Sequence, residues 1–181
     1  MSTPSPKKIV IAGAFQILCL IAMIAWAALP VLTGTEVLLQ TRPVDPRDLF
    51  RGNYVALSYE INRLPLELLE NAETDLSHIT QGTPVFVRLL PSGKDQPWKV
   101  DRISLKPFSS GVFLRGKARY YPSDMIDIEY GLEAFYCPLE KAKSLERDFA
   151  SGNLLGQIFI ANGRSRLNDL VKWKSRESAS P

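Results

Sequence analysis

Histidine and cysteine are scarce in this 181-residue sequence, which has one histidine, His78, and two cysteines, Cys19 and Cys137. Without a second histidine or a Cys-x-x-Cys spacing, the chain lacks the ligand pattern of a structural zinc site. Cys19 lies in a long apolar run and Cys137 lies far along the chain, so the sequence predicts no disulfide between them. We therefore expect no metal and no cofactor.

A strong excess of charge of one sign is also missing. The chain has 22 lysines and arginines against 19 acidic residues, and two of the positive charges are Lys7 and Lys8 at the N-terminus. Nucleic-acid binding needs a concentrated basic face, so this near-balance argues against a nucleic-acid partner. The apolar content of 45% and charged content of 23% are ordinary for a globular protein.

One long hydrophobic run, from Ile9 to Leu32, carries no charge. As a helix rising 1.5 Å per residue it spans roughly 36 Å, which is enough to cross a bilayer core of about 30 Å. Lys7 and Lys8 precede this run and Glu36 is the first charge after it. The positive-inside rule therefore predicts a cytoplasmic N-terminus and an extracytoplasmic remainder.

Two alternatives for this run stay open. A cleaved signal peptide is one, since small residues such as Ala25 and Ala27 stand near its end, although a signal peptide usually has a shorter apolar region of about 7–15 residues. A buried core helix is the other, although a polar stripe would be expected on it. The favoured organisation is a cytoplasmic segment at 1–8, a transmembrane anchor at 9–32, a domain at 33–173 and a polar tail at 174–181.

Beyond the anchor, short segments rich in strand-forming residues alternate with turn residues. The predicted strands cover residues 36–41, 54–61, 84–90, 98–105 (with a bulge), 112–120, 126–130, 155–161 and 164–170. Asn162-Gly163 predicts a tight hairpin between the last two strands. Proline-initiated patterns at 65–71 and 138–149 predict two short helices. The expected fold is an α+β domain, mainly antiparallel β, with a barrel-like or sandwich-like form.

The segment before the second strand has the composition of a rigid corner. Asp45-Pro46-Arg47-Asp48 suits a type I turn, and Gly52-Asn53 is a second turn signal. The charged residues of this corner could form an ion-pair network or contact a partner. An aromatic residue after the corner and a carboxylate later in the chain could contribute to the same binding surface. The candidate binding residues are Asp45, Arg47, Asp48, Arg51, Tyr54 and Glu133.

The same stretch, RGNYVALSYEI, resembles the signature of the GDYXXLXY family, which reads Gly-Asp-Tyr-x-x-Leu-x-Tyr. Gly52, Tyr54, Leu57 and Tyr59 match this signature, and Asn53 stands where the family has aspartate. A catalytic or metal-binding carboxylate would not survive that replacement, whereas a turn residue would, because asparagine and aspartate make the same turns. We therefore expect Asn53 to be structural.

A second stretch, YGLEAFYCPLEKAKSLE from Tyr130, resembles a later block of that family, and Gly131 lies within it. The resemblance implies a bacterial protein with an N-terminal membrane anchor. Members are often encoded beside polytopic membrane proteins, and no activity is established for the family. The resemblance therefore implies a location and a kind of partner rather than a reaction.

Three functions remain as hypotheses. The first is a non-enzymatic accessory subunit of a polytopic membrane protein. The second is an envelope domain that binds a small molecule or peptide, with Glu133 and aromatic residues such as Trp98, Phe113 and Phe135 lining a groove. The third is a hydrolase resembling signal peptidases. It would need a serine nucleophile and a lysine base, yet Thr41 is the nearest hydroxyl before the corner.

Overall fold

A computed structural model describes residues 6–42, 54–70, 79–120, 124–137 and 154–173. The first element is helix α1, Pro6–Thr33, which contains the whole of the predicted anchor. Its segment Pro6–Leu29 has a mean hydropathy of 2.4, and none of it is buried inside the protein. Large apolar side chains such as Phe15, Ile21 and Trp26 are exposed on it. This length and apolar surface make α1 a candidate membrane span.

The described residues after α1 form eleven strands and two short 3-10 helices, Glu60–Asn62 and Leu66–Leu68. The strands are β1 Thr35–Arg42, β2 Tyr54–Ala56, β3 Ser58–Tyr59, β4 Arg63–Pro65, β5 Pro84–Leu90, β6 Lys99–Ser104, β7 Val112–Tyr120, β8 Met125–Glu129, β9 Ala134–Tyr136, β10 Leu154–Ala161 and β11 Arg164–Lys172.

These strands build three antiparallel sheets. One has four strands in the order β11-β10-β1-β3, one has five in the order β4-β8-β7-β5-β6, and β2 pairs with β9 alone. The two larger sheets share a single core, to which Leu39 of β1 and Leu114 of β7 both belong. Within the described residues the sheets do not close into a barrel. The predicted class, α+β with mainly antiparallel β and one N-terminal apolar helix, is confirmed.

Local sequence signals account for several of these elements. In β1 the alternating residues Val37, Leu39 and Thr41 are buried, so one strand face lies on the core. Asn162 and Gly163 have φ values of +50° and +78°, the conformation that a tight hairpin between β10 and β11 requires. The bulge predicted within residues 98–105 forms in β6. It lies where Arg88 pairs with Arg102 and Leu89 pairs with Val100.

Two predicted elements differ from those observed. The strand expected over 54–61 is interrupted at Leu57 and ends in the 3-10 helix Glu60–Asn62. The helix expected over 65–71 is a single 3-10 turn, Leu66–Leu68, after which Leu69 bridges to Ile103. In both places hydrogen bonds to distant parts of the chain replace the local pattern. The helix predicted at 138–149 lies outside the described residues.

Candidate functional site

The two signature-like stretches fold against each other. Strand β2 pairs antiparallel with β9, so that Val55 lies opposite Phe135 and Ala56 opposite Ala134. Beyond this ladder, the Leu57 N–H donates to the carbonyl of Glu133 over 2.8 Å. Residues that are distant in the sequence therefore form one compact structure.

Tyr59 is the centre of this structure and is 0% exposed. Its N–H donates to Oδ1 of Asn62 over 2.6 Å, and its hydroxyl donates to the Leu132 carbonyl over 3.1 Å. Its ring fills the space above Gly156 of β10, where an added Cβ would lie 2.8 Å from the ring carbon Cε1. The ring thus needs glycine at that position of the neighbouring strand.

Glu133 completes the arrangement from the other stretch. Its Oε1 accepts the Tyr130 N–H over 2.7 Å and the Asn62 side-chain amide over 3.0 Å. Tyr130 in turn donates its hydroxyl to the Ile61 carbonyl over 2.8 Å. We call the set Leu57, Tyr59, Asn62, Tyr130 and Glu133 the motif junction. Its hydrogen bonds join β3, the first 3-10 helix and the segment between β8 and β9.

The motif junction strongly favours protonated tyrosines. Burial raises the pKa of the Tyr59 hydroxyl well above its ordinary value of 10.0, and the nearby Glu133 carboxylate raises it further. The same two causes raise the pKa of Tyr130. Both hydroxyls therefore remain hydrogen-bond donors even at alkaline pH, where an exposed tyrosine would ionise. This geometry favours a structural role for the junction.

Some of the predicted site residues lie within the described ranges and the others lie outside them. Leu57, Tyr59 and Glu133 belong to the motif junction, and Gly131 has a φ of +77°, a conformation that glycine adopts without strain. Tyr54 contributes its backbone to the β2–β9 ladder. Of the remaining predicted residues nothing is described, because they lie outside the described ranges. These are Asp45, Arg47, Asp48, Arg51, Gly52 and Asn53.

Other residues considered from the sequence have structural partners. The Thr41 hydroxyl, the nearest one before the corner, is buried and donates to the Leu154 carbonyl over 2.8 Å. Phe135 is buried in the core, and Phe113 packs against Phe86 with ring centroids 6.0 Å apart. Within the described residues, no group of three or more His, Cys, Asp or Glu side chains could hold a metal ion.

A large concave surface lies elsewhere in the described domain and was not predicted. It is an open groove of about 1270 Å³ between the outward face of β1, β10 and β11 and the loop that joins β5 to β6. We call it the sheet groove. Apolar and charged side chains both line it, among them Leu38, Leu155, Val171, Trp173, Glu36, Lys94, Asp95, Lys99 and Lys172.

The loop beside the sheet groove is held to the sheet. The Trp98 N–H donates to the Leu38 carbonyl over 2.9 Å, which ties the end of this loop to β1. Gly93 and Asp95 have φ values of +141° and +58°, so the loop turns sharply between its two ends. The alternation of β1 predicts that Leu38 faces away from the core. The position of the loop above Leu38 could not be predicted in this way, because it depends on the hydrogen bond between Trp98 and Leu38.

The fold and the candidate span describe a class: a small antiparallel β domain joined to one apolar helix, which fits a membrane-anchored protein. The chain belongs to the GDYXXLXY protein family, whose model matches residues 16–170. The resemblance of the two signature-like stretches is thereby confirmed. Searches of curated proteins and of solved structures gave no match.

Proposed function

We propose that this protein is a single-pass protein of the bacterial inner membrane whose extracytoplasmic domain is a non-enzymatic accessory subunit of a polytopic membrane protein. One observation carries the proposal: the apolar, unburied helix α1 is followed by β1 after the single residue Gly34. With so short a connection, the domain stays next to the bilayer surface. There it is placed to contact the extracytoplasmic loops of a multi-spanning neighbour.

The sheet groove is the surface that we assign to this contact. It begins at Glu36, close to the end of α1, so an occupant of the groove lies near the membrane. Its apolar floor, with Leu38 and Val171, supplies area for burial, and the charged side chains of both signs at its rim supply orientation. An extracytoplasmic loop of the partner, carrying apolar and charged residues, has the matching chemistry.

Lysine crosslinking in native membranes tests this assignment. Lys94 and Lys99 line the sheet groove, whereas Lys117 lies on β7 of the other large sheet and serves as an internal control. We expect reproducible crosslinks from Lys94 and Lys99 to one polytopic protein, and far fewer from Lys117. An intact, anchored protein without such crosslinks would contradict the proposal. Equal crosslinking from all three lysines would contradict the assignment of the groove.

The groove also favours a second candidate, an envelope domain that binds a small molecule or a peptide. A volume of about 1270 Å³ exceeds the ~300–1,000 Å³ of most small-molecule pockets, and the groove is open, so an extended peptide fits better. A thermal-shift screen of the full-length protein with envelope ligands tests this function. A ligand that stabilises the wild type but not Leu38→Asp, with Lys117→Gln as the control, would favour it over the accessory role.

A further inference from the structure

The floor of the sheet groove is the face of the four-stranded sheet that lies opposite the core. Because the residues on either side of Leu38 in β1 are buried in the core, Leu38 faces outward. Leu38 lies opposite Gln157 of β10, and Leu155 lies opposite Val171 of β11. Residues two apart on a strand, and residues directly opposite on neighbouring strands, share a face. These four side chains therefore form one continuous surface, and all four line the groove.

The apolar contact that this floor offers comes from two separate points. Leu38 and Val171 are only half-buried, whereas Leu155 is 1% exposed and is therefore already packed. Strand β10 lies between β1 and β11, so at a strand spacing of about 4.8 Å the two points are at least roughly 10 Å apart. An extended chain, which rises about 3.3 Å per residue, spans that distance with three or more residues. The floor thus suits an extended segment with more than one apolar side chain.

The polar side chains of the same face are bonded to one another. Nε2 of Gln157 donates to Oε1 of Glu36 over 2.6 Å, and Nδ2 of Asn168 donates to Oε1 of Gln157 over 2.9 Å. This chain of hydrogen bonds crosses from β1 over β10 to β11. The Glu36 carboxylate consequently has a donor within the domain and does not depend on an occupant of the groove for one.

The lysines on the loop side of the groove differ in this respect. Lys94 and Lys99 are exposed and line the groove, and in the part of the chain that the structure describes neither forms an ion pair. By contrast, Arg88 on the strand before this loop pairs with Asp101. Asp95 is the acidic residue among those that line the groove from the loop side, so two positive charges face one negative charge there. This excess attracts an anionic group on an occupant.

We infer that the sheet groove binds an extended, acidic segment of the partner, whose carboxylates contact Lys94 and Lys99 and whose apolar side chains contact Leu38 and Val171. This inference rests on the proposed accessory role, which makes the segment an extracytoplasmic loop of a polytopic membrane protein. Carboxylates beside the two lysines complete ion pairs that the described domain does not make itself. A basic segment would instead place like charges together, which disfavours binding.

Two crosslinking reagents, applied in parallel to native membranes that contain the full-length protein, test this inference. An amine-reactive reagent with a spacer joins two nearby lysines and reports only that a partner is close. A water-soluble carbodiimide joins a lysine amine directly to a carboxylate in contact with it. By mass spectrometry we expect carbodiimide products that link Lys94 or Lys99 to aspartate or glutamate in one extracytoplasmic segment of a polytopic protein. Apolar residues should lie next to the linked carboxylate.

Charge variants of the full-length protein measure what the two lysines contribute. Lys94→Glu with Lys99→Glu places carboxylates opposite carboxylates and should lower the amount of co-purified partner about tenfold or more. Lys94→Arg with Lys99→Arg keeps both charges but removes the amines, so it should retain the partner and lose the carbodiimide products. Lys106→Glu with Lys117→Glu is the matched control, because both lysines are exposed and lie outside the groove, and it should leave the amount of partner unchanged.

The outcomes separate a failure of this inference from a failure of the accessory role. Amine-to-amine products from Lys94 and Lys99 to a polytopic protein, without carbodiimide products, would overturn the acidic segment and leave the accessory role in place. The absence of both kinds of product would overturn both. Carbodiimide products that join two copies of this chain would overturn the inference in favour of self-association. An equal loss of partner in the control pair would also overturn it, because net charge alone would then explain the effect.

Discussion

Changing Tyr59 to phenylalanine removes one buried hydroxyl and keeps the ring that packs on Gly156. The hydroxyl donates to the Leu132 carbonyl over 3.1 Å, and its loss leaves that buried carbonyl without this partner. A net hydrogen bond contributes about 1 kcal/mol, and an unpaired buried acceptor costs somewhat more. We therefore expect the free energy of unfolding to fall by about 1–2 kcal/mol at pH 8.

The size of this difference in stability should decrease as the pH rises above 10. Burial and the Glu133 carboxylate raise the pKa of Tyr59 in the folded state above the ordinary value of 10.0. Above pH 10 the unfolded chain releases this proton while the folded chain keeps it, so wild-type stability falls as pH rises. At pH 11 this loss amounts to about 1.4 kcal/mol for one tyrosine, and the phenylalanine variant does not suffer it. The stability gap should therefore close.

The assay is denaturant unfolding of the full-length protein in detergent micelles, followed by tryptophan fluorescence at pH 8, 9.5 and 11. Other alkaline effects, including the titration of Tyr130, occur in both proteins and cancel in the difference. Tyr136→Phe is the control, because that side chain is 75% exposed and its replacement should change stability by no more than about 0.5 kcal/mol. A gap between wild type and Tyr59→Phe that stays constant or widens up to pH 11 would refute the reasoning.

Three further changes test the packing and charges of the described domain. Gly156→Ala places a Cβ 2.8 Å from Cε1 of Tyr59 and should cost about 1–3 kcal/mol in chemical unfolding. Glu133→Ala leaves two N–H donors without their acceptor and should cost about 2 kcal/mol or more, whereas Glu133→Gln keeps an acceptor oxygen and should cost less than half as much. The hydrogen bond from Arg88 lowers the pKa of Asp101, so its stabilisation is present above pH 3.8 and is lost as pH falls through the lowered pKa. Asp101→Asn should therefore make acid unfolding less dependent on pH.

Each of these changes has a control in the same chain. Gly13→Ala meets no atom within 4 Å and should be neutral or slightly stabilising. Glu60→Ala removes an exposed carboxylate near the motif junction, and Asp127→Asn weakens the exposed ion pair with Arg63. A loss in any control as large as in its test variant would show that the named contact is not the cause.

The elements that sequence patterns predicted well are those with local causes. Strands β5, Pro84–Leu90, and β7, Val112–Tyr120, have the predicted bounds, because alternation and adjacent turn residues define them locally. The Asn162-Gly163 hairpin likewise depends on two residues that adopt positive φ. The long apolar helix α1 needs only its own composition and length.

The elements that were missed depend on partners far along the chain. Strand 54–61 breaks because Leu57 donates to the Glu133 carbonyl, and the 3-10 turn after it is tied by Asn62 to Ile128 and Glu133. A local pattern contains no information about such partners. The only available signal for Asn62 was a polar residue after a buried run, and this is also typical of an exposed loop.

The described residues of the two signature-like stretches have structural roles. Leu57 is buried, Tyr59 is 0% exposed, and Gly131 in the second stretch adopts a positive φ. Such residues stabilise a fold, and they can be shared by proteins with different partners. Specificity must then come from exposed surfaces. In the described domain the sheet groove is such a surface. Side chains of β1, β10 and β11 line it, so a partner in the groove would contact residues outside the motif junction.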